Sequence, residues 1–71
     1  MDIEKIVNEF PTKSKYGFTD EEISELLSQL DIDKTIFNNA LGVNTGMIFN
    51  NQPITYRVDI IRTINIVMRN R

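Results

Sequence analysis

Two aspartates and a threonine occupy alternate positions near the middle of the chain, in the run Asp31-Ile32-Asp33-Lys34-Thr35. Two carboxylates this close together can act as the nucleophile and the general acid of a phosphoryl transfer. Oxygen-bearing side chains at alternate positions can also bind calcium. A third possibility is structural, because aspartate is favoured in tight turns and as the residue that caps a helix.

The catalytic possibility rests on a family motif. The run matches the pattern D-x-D-x-T and so resembles the haloacid dehalogenase-like phosphohydrolases, in which the first aspartate is the nucleophile and the second is a general acid. In that family the motif follows a buried strand of a much larger α/β domain, whereas here it follows an amphipathic helix in a chain of 71 residues. The chain also has no later acidic pair to hold magnesium. We therefore predict no catalytic residue.

The calcium possibility fails on spacing. An EF-hand loop that begins at Asp31 requires glycine at its sixth position and glutamate at its twelfth. The sequence has Ile36 and Gly42 at these two positions. We therefore predict no metal site, and no motif indicates a cofactor.

The overall composition is that of a folded, non-catalytic domain. The chain contains no histidine and no cysteine, which removes the commonest general base, the commonest metal ligand and any disulfide. Its 41% hydrophobic and 25% charged residues are ordinary values for a globular protein. No apolar run is long enough for a signal sequence or a membrane span. We predict a single domain over residues 1–71, located in the cytoplasm and not an enzyme.

Hydrophobic spacing predicts helices on both sides of the aspartate run. Apolar residues recur every three or four positions in four segments, which are residues 2–10, 19–30, 34–41 and 58–71. Thr19 and Glu22 form a capping-box pattern at the start of the second helix, and Gly42 stands where the third helix is expected to end. In the third helix we expect four residues to face the core, with Val43 packing back against its last turn: Ile36, Phe37, Ala40 and Leu41.

Two short segments that favour β structure, residues 47–49 and 54–56, stand between the third and fourth helices. Asn50 and Asn51 between them tolerate the positive φ of a tight turn, and Pro53 suits an edge strand. We therefore predict a β-hairpin. The expected fold is a small α+β domain with the order helix, helix, helix, β-hairpin, helix.

This order resembles a winged helix-turn-helix domain, with the turn at residues 31–33 joining the two motif helices. The resemblance implies DNA contacts from the third helix, the hairpin tip and the fourth helix, namely Lys34, Asn38, Asn39, Asn50, Asn51, Arg57 and Arg62. The charge distribution opposes this, because residues 17–34 contain six acidic residues and one basic residue, and the isoelectric point is near 4.9. DNA-binding surfaces are usually strongly basic. DNA binding is therefore the alternative hypothesis.

The favoured hypothesis is a regulatory module that binds another protein. Two surfaces are candidates, the acidic face of the second helix and the apolar face of the fourth, which comprise Asp20, Glu21, Glu22, Glu25, Ile66 and Met68. A chain this short buries only about 60% of the surface that its unfolded form exposes, so we also expect a homodimer through the fourth helix. In size and composition the chain is similar to the small accessory proteins of phages and other mobile elements.

Overall fold

The computed structural model describes residues 1–45 and 54–70. Within these ranges four helices and two short strands follow each other along the chain: α1 (Ile3–Glu9), β1 (Gly17–Phe18), α2 (Asp20–Leu30), α3 (Lys34–Thr45), β2 (Thr55–Tyr56) and α4 (Arg57–Arg69). The predicted α+β class and its four helices are confirmed.

Side chains cap the first two helices, and the cap of the second is the one that its sequence predicts. The carboxylate of Asp2 accepts a hydrogen bond from the Lys5 amide at 3.1 Å, at the start of α1. At the start of α2, the Thr19 hydroxyl accepts from the Glu22 amide at 3.2 Å, and the Glu22 carboxylate accepts from the Thr19 amide at 2.8 Å. This is the complete capping box, which fixes where α2 begins.

The two strands pair in antiparallel fashion, with Gly17 opposite Tyr56 and Phe18 opposite Thr55. β2 falls within the predicted strand 54–56, but no strand was predicted where β1 lies. The predicted partner strand, residues 47–49, lies outside the described residues, as do Asn50 and Asn51. The observed pairing depends on Gly17, because a Cβ atom there would lie 2.3 Å from the Thr55 carbonyl oxygen.

One hydrophobic core connects all four helices and the sheet. α4 packs against α1, α3 and β2, and the Phe10 and Phe18 rings stack with their centres 5.5 Å apart. The hydroxyl of buried Thr63 donates to the Asp59 carbonyl at 2.7 Å, one turn earlier in α4. The buried apolar residues are Ile3, Val7, Phe10, Phe18, Ile23, Leu26, Leu27, Leu30, Ile32, Phe37, Ile60, Ile64 and Val67.

α3 differs from its prediction in length and in orientation. It continues through Gly42 to Thr45, since a glycine inside a helix costs only about 1 kcal/mol relative to alanine and packing against α4 offsets that cost. The prediction that Ile36 faces the core is wrong, because this side chain is 56% exposed. Val43 is 84% exposed and does not pack back against the helix. Both side chains project from the surface of α3.

Candidate functional site

The aspartate run forms the turn between α2 and α3. Asp31 ends α2 in the left-handed conformation, with φ 56° and ψ 44°, which aspartate adopts more readily than most residues. Asp33 caps α3, because its carboxylate accepts from the Ile36 amide and its carbonyl from the Phe37 amide, both at 3.0 Å. The two aspartates therefore have structural roles in the turn.

Glu22, a predicted interaction residue, joins α2 to the loop before it. Its two carboxylate oxygens accept hydrogen bonds from the Thr19 amide at 2.8 Å and from the Lys13 amide at 2.9 Å. The bond from Thr19, followed by the bond from Lys13, lowers the pKa of the Glu22 carboxyl below its ordinary value. These bonds orient both oxygens toward the fold.

The other predicted acidic residues of α2 differ in their surroundings. Asp20 forms an ion pair with the Lys34 ammonium at 2.8 Å, and the same ammonium donates to the Ser24 hydroxyl at 2.6 Å. Glu21 and Glu25 are exposed. Of the predicted acidic surface, these two glutamates are therefore the members that face solvent without a structural role in the described contacts.

Arg57, a predicted DNA contact, instead binds the interior of the fold. Its guanidinium group is partly buried, its Nη2 lies 2.6 Å from the Thr12 hydroxyl, and its central carbon lies 4.9 Å from the centre of the Phe18 ring. The last distance is typical of a cation–π contact. The oxygens that accept its hydrogen bonds are the carbonyls of Val7, Phe10 and Lys15 and the Thr12 hydroxyl. Because its donors are engaged in this way, we place Arg57 outside the candidate surface.

The remaining predicted DNA-contacting residues are not gathered into one basic face within the described parts of the chain. Asn38 and Asn39 of α3 and Arg62 of α4 are exposed. Lys34 is the one charged side chain of α3, and Asp20 pairs with it. The outward face of α3 is therefore polar and apolar rather than basic.

An apolar groove, which we name the α3–α4 groove, runs between these two helices. Two adjoining depressions that open to solvent form it, and Ala40 and Ile66 line both. Among the described residues that line the depressions, the charged ones are aspartates and none is basic. The groove is defined by Asp33, Ile36, Ala40 and Val43 on the α3 side and by Ile66 and Asn70 on the α4 side.

Sequence patterns pointed to one wall of this groove and missed the other. Of the two predicted interaction residues of α4, Ile66 lines the groove and Met68 packs against the core, because two residues along a helix are about 200° apart. Ile36, Ala40 and Val43 follow the i, i+4, i+7 spacing of a second apolar stripe on α3. That stripe was the available signal, but Ile36 was assigned to the core and Val43 to a helix end.

The described residues, 1–45 and 54–70, contain no cluster of three or more potential metal ligands. None of the helices within these ranges combines the length and the hydrophobicity of a membrane span. The chain matches no protein-family model, no curated protein and no solved structure at a significant level.

Proposed function

We propose that this protein is a small, non-enzymatic regulatory module that binds protein through the α3–α4 groove. The observation that carries the proposal is the exposure of two branched aliphatic side chains, Ile36 at 56% and Val43 at 84%, along one edge of this groove. Burying apolar surface stabilises a complex by about 25 cal/mol per Å² before the costs of association. An aliphatic stripe beside a groove therefore favours a partner that covers it.

The groove is a better candidate than the acidic face of α2. Both oxygens of Glu22 and the carboxylate of Asp20 already bind groups of the same chain. The exposed Glu21 and Glu25 are solvated charges, which usually contribute little to affinity. We infer that α2 contributes at most a polar border to the interface. Work in the cytoplasm remains part of the proposal, supported by a sequence without cysteine, which needs no oxidising compartment.

A pair of matched variants tests this proposal. Val43→Glu places a charge at one end of the aliphatic stripe, and Tyr16→Glu places one at a 66% exposed position in the loop before β1, which lines neither depression of the groove. In an affinity capture from the source cell, we expect a stoichiometric partner with the wild type and with Tyr16→Glu. We expect its loss with Val43→Glu.

Two outcomes would contradict the proposal. One is a stoichiometric partner that Val43→Glu and the wild type retain equally, which would place the binding surface elsewhere. The other is the absence of any stoichiometric complex, whether with another protein or with a second copy of this chain. Circular dichroism of both variants controls for loss of folding.

A second candidate function, DNA binding, is favoured by the geometry of the turn between α2 and α3. A helix-turn-helix motif joins its helices by three or four residues, often with a glycine. Here three residues, 31–33, join α2 to α3, and Asp31 takes the left-handed conformation that glycine often supplies. Asn38 and Asn39 are exposed on the following helix, and asparagine can pair with adenine.

Salt dependence distinguishes this second function from protein binding. Phosphate contacts make DNA affinity fall steeply with salt, so a DNA-binding protein should retain mixed genomic fragments at about 50 mM salt and release them at about 200 mM. Asn38→Ala should then weaken binding, while Glu21→Gln, on the neighbouring helix, should not. An absence of binding at the lower salt would exclude this function.

A further inference from the structure

We infer that the α3–α4 groove binds a second copy of the same chain, in a two-fold dimer with α3 antiparallel to α3 of the partner. This inference rests on the proposed function, because it names the occupant of the same groove. Three observations support it: the charge of α3, the positions of the aliphatic side chains, and the charges at the two ends of the groove.

α3 can pack against its own copy without repulsion. Its one charged side chain, Lys34, is neutralised by Asp20 within the same chain. Ile36 and Val43 are exposed on either side of half-buried Ala40 in the aliphatic stripe. An antiparallel pair would therefore place Ile36 of each copy beside Val43 of the other, with the two Ala40 residues near the axis. A small residue at that position allows the helix backbones to approach closely.

α4 runs antiparallel to α3 along the groove, so each end of the groove combines the start of one helix with the end of the other. The side-chain amide of Asn44, near the end of α3, lies 3.5 Å from the hydroxyl of Thr63 in the middle of α4. At the other end of the groove, Asn70 after α4 and Asp33 before α3 line the same depression. The acidic end of the groove is therefore the end at which α4 finishes.

A two-fold axis through the middle of the groove brings opposite charges together. Arg62 is exposed one turn before Ile66, and Asn70 lies one turn after Ile66 on the same side of α4. Rotation about an axis near Ile66 therefore carries Arg62 of one copy to the Asn70 end of the other, where Asp33 lies. The two-fold symmetry makes this contact twice.

Two other charged residues lie near Arg62 and Asp33 and weaken the attraction between them at longer distances. Asp59 is half-buried in the first turn of α4, and exposed Arg69 is in its last turn. Asp59 is opposite in sign to Arg62 at one end of the groove, and Arg69 is opposite in sign to Asp33 at the other. We therefore assign the affinity to the aliphatic contacts and assign the register to the Arg62–Asp33 contact, since such charges typically fix orientation rather than affinity.

The small surface that the α3–α4 groove offers for contact predicts a weak dimer. A standard interface covers about 800 Å² per partner, about one sixth of the 4928 Å² that the whole chain exposes. α3 has 12 residues and is therefore only about 18 Å long. The interface belongs at the lower end of the size range, so we expect a dissociation constant on the order of 10 µM.

Sedimentation equilibrium of the full chain between about 1 and 500 µM tests the inference. We expect wild type and Tyr16→Glu to shift from monomer to dimer over this range, and Val43→Glu to need at least about tenfold higher concentration. A wild type that stays monomeric at 500 µM overturns the inference. Equal dimerisation of Val43→Glu and wild type overturns it as well.

Charge exchange tests the register independently. Arg62→Glu alone and Asp33→Lys alone should each weaken the dimer, since each places like charges together at both contacts. Mixed in equal amounts, the two variants should form a heterodimer in which both contacts are again attractive. A mixture no more dimeric than the separate variants contradicts the register.

A second pair of variants covers the case in which Asp33→Lys unfolds because α3 loses its cap. Asp33→Asn retains capping ability and removes the charge. Combined with Arg62→Gln, it should weaken the dimer no more than either single change, because both remove the same contact. Additive weakening contradicts the contact.

These outcomes separate the inference from the proposed function. The wild type could stay monomeric and capture another protein that Val43→Glu does not capture. This result would exclude a second copy as the occupant and would leave the groove as a docking surface for that protein. If Val43→Glu dimerises as strongly as the wild type and no other partner is captured, both the inference and the proposed function are wrong.

Discussion

At the scale of single residues, Arg57 connects segments that are far apart in the sequence. Its guanidinium group bonds to oxygens at the end of α1 and in the loop that follows, 42 to 50 residues earlier in the chain. The group also covers the ring of Phe18 in β1. The planar guanidinium can make these bonds in several directions at once, which a lysine ammonium cannot reproduce.

Arg57→Lys should lower the free energy of unfolding by about 2–4 kcal/mol, because hydrogen bonds to charged groups contribute about 1.5–3 kcal/mol each and lysine retains only some of them. Urea unfolding of the monomer at low concentration measures this change. The matched control is Arg62→Lys at an exposed position of the same helix, where a change within about 0.5 kcal/mol is expected. Equal effects at the two positions would contradict the structural role of Arg57.

Glu22→Gln should reduce stability in a pH-dependent manner. The pKa of Glu22 is lowered in the folded protein by the amides of Thr19 and Lys13, so the charged form is favoured by folding. Its contribution is complete at pH 7, above the ordinary glutamate pKa of about 4.3. It is lost as the pH falls through the lowered pKa of the folded state. The melting temperatures of wild type and Glu22→Gln should therefore differ at pH 7 and converge in acid.

Glu21→Gln is the matched control for this experiment, because Glu21 is exposed in the same turn of α2. It removes the same charge without removing an acceptor from the loop. A Glu21→Gln variant with the same pH-dependent loss would show that the effect arises from net charge rather than from the two amide bonds.

At the scale of elements, the two-residue strands hold α4 against the first part of the chain. Phe18 in β1 is fully buried, and β2 leads directly into α4. The pairing of Phe18 with Thr55 therefore fixes where α4 begins relative to the core. So short a sheet would be unstable alone, and the helices that pack around it stabilise it.

Gly17→Ala should separate this pair of strands. The added Cβ would lie 2.3 Å from the Thr55 carbonyl oxygen and 2.5 Å from a methyl group of Ile54, so the backbone has to move. Overpacking of this kind costs about 1–3 kcal/mol, measured as a loss in urea unfolding. By contrast, Gly42→Ala within α3 should stabilise the protein by about 0.5–1 kcal/mol. A neutral Gly17→Ala would contradict the close approach.

The helices were predictable because their signals are local. The capping box of Thr19 and Glu22 and the buried stripe of Ile23, Leu26 and Leu27 lie within one helix and need no knowledge of the rest of the chain. α3 was predicted less well, since a glycine at position 42 ends a helix only when packing does not favour its continuation. The exposure of Ile36 likewise depends on which face of α3 meets α4.

The sheet and the role of Arg57 depend on contacts across the whole chain. β1 has two residues, too few for an alternating pattern, and its glycine belongs to a residue type that is depleted in strands. Three of the four acceptors of Arg57 are carbonyl groups, which every residue possesses and which leave no signature in the sequence. The candidate site was also only partly predictable. Ile66 was selected from the sequence of α4 alone, but the groove could not be predicted without knowing where α3 packs against α4.

At the scale of the whole molecule, the small core and the exposed aliphatic stripe both limit how much apolar surface a single copy can bury. A chain of 71 residues has a limited core, and the position of Ile36 and Val43 on the surface reduces what α3 contributes to it. Covering this stripe with a second copy would add burial that one copy cannot provide. Folding and association should then be linked through mass action.

The melting temperature should therefore depend on protein concentration. If the dimer dissociates on the order of 10 µM, raising the concentration from about 5 to 500 µM stabilises each copy by about 1 kcal/mol, which corresponds to about 4–8 °C for a domain of this size. Tyr16→Glu should retain this dependence, and Val43→Glu should show a smaller one, because its charge weakens the contact that covers the stripe. A wild type whose melting temperature is constant over this range, in a reversible transition, would mean that a single copy supplies all of the stability and that the aliphatic stripe is left for another protein.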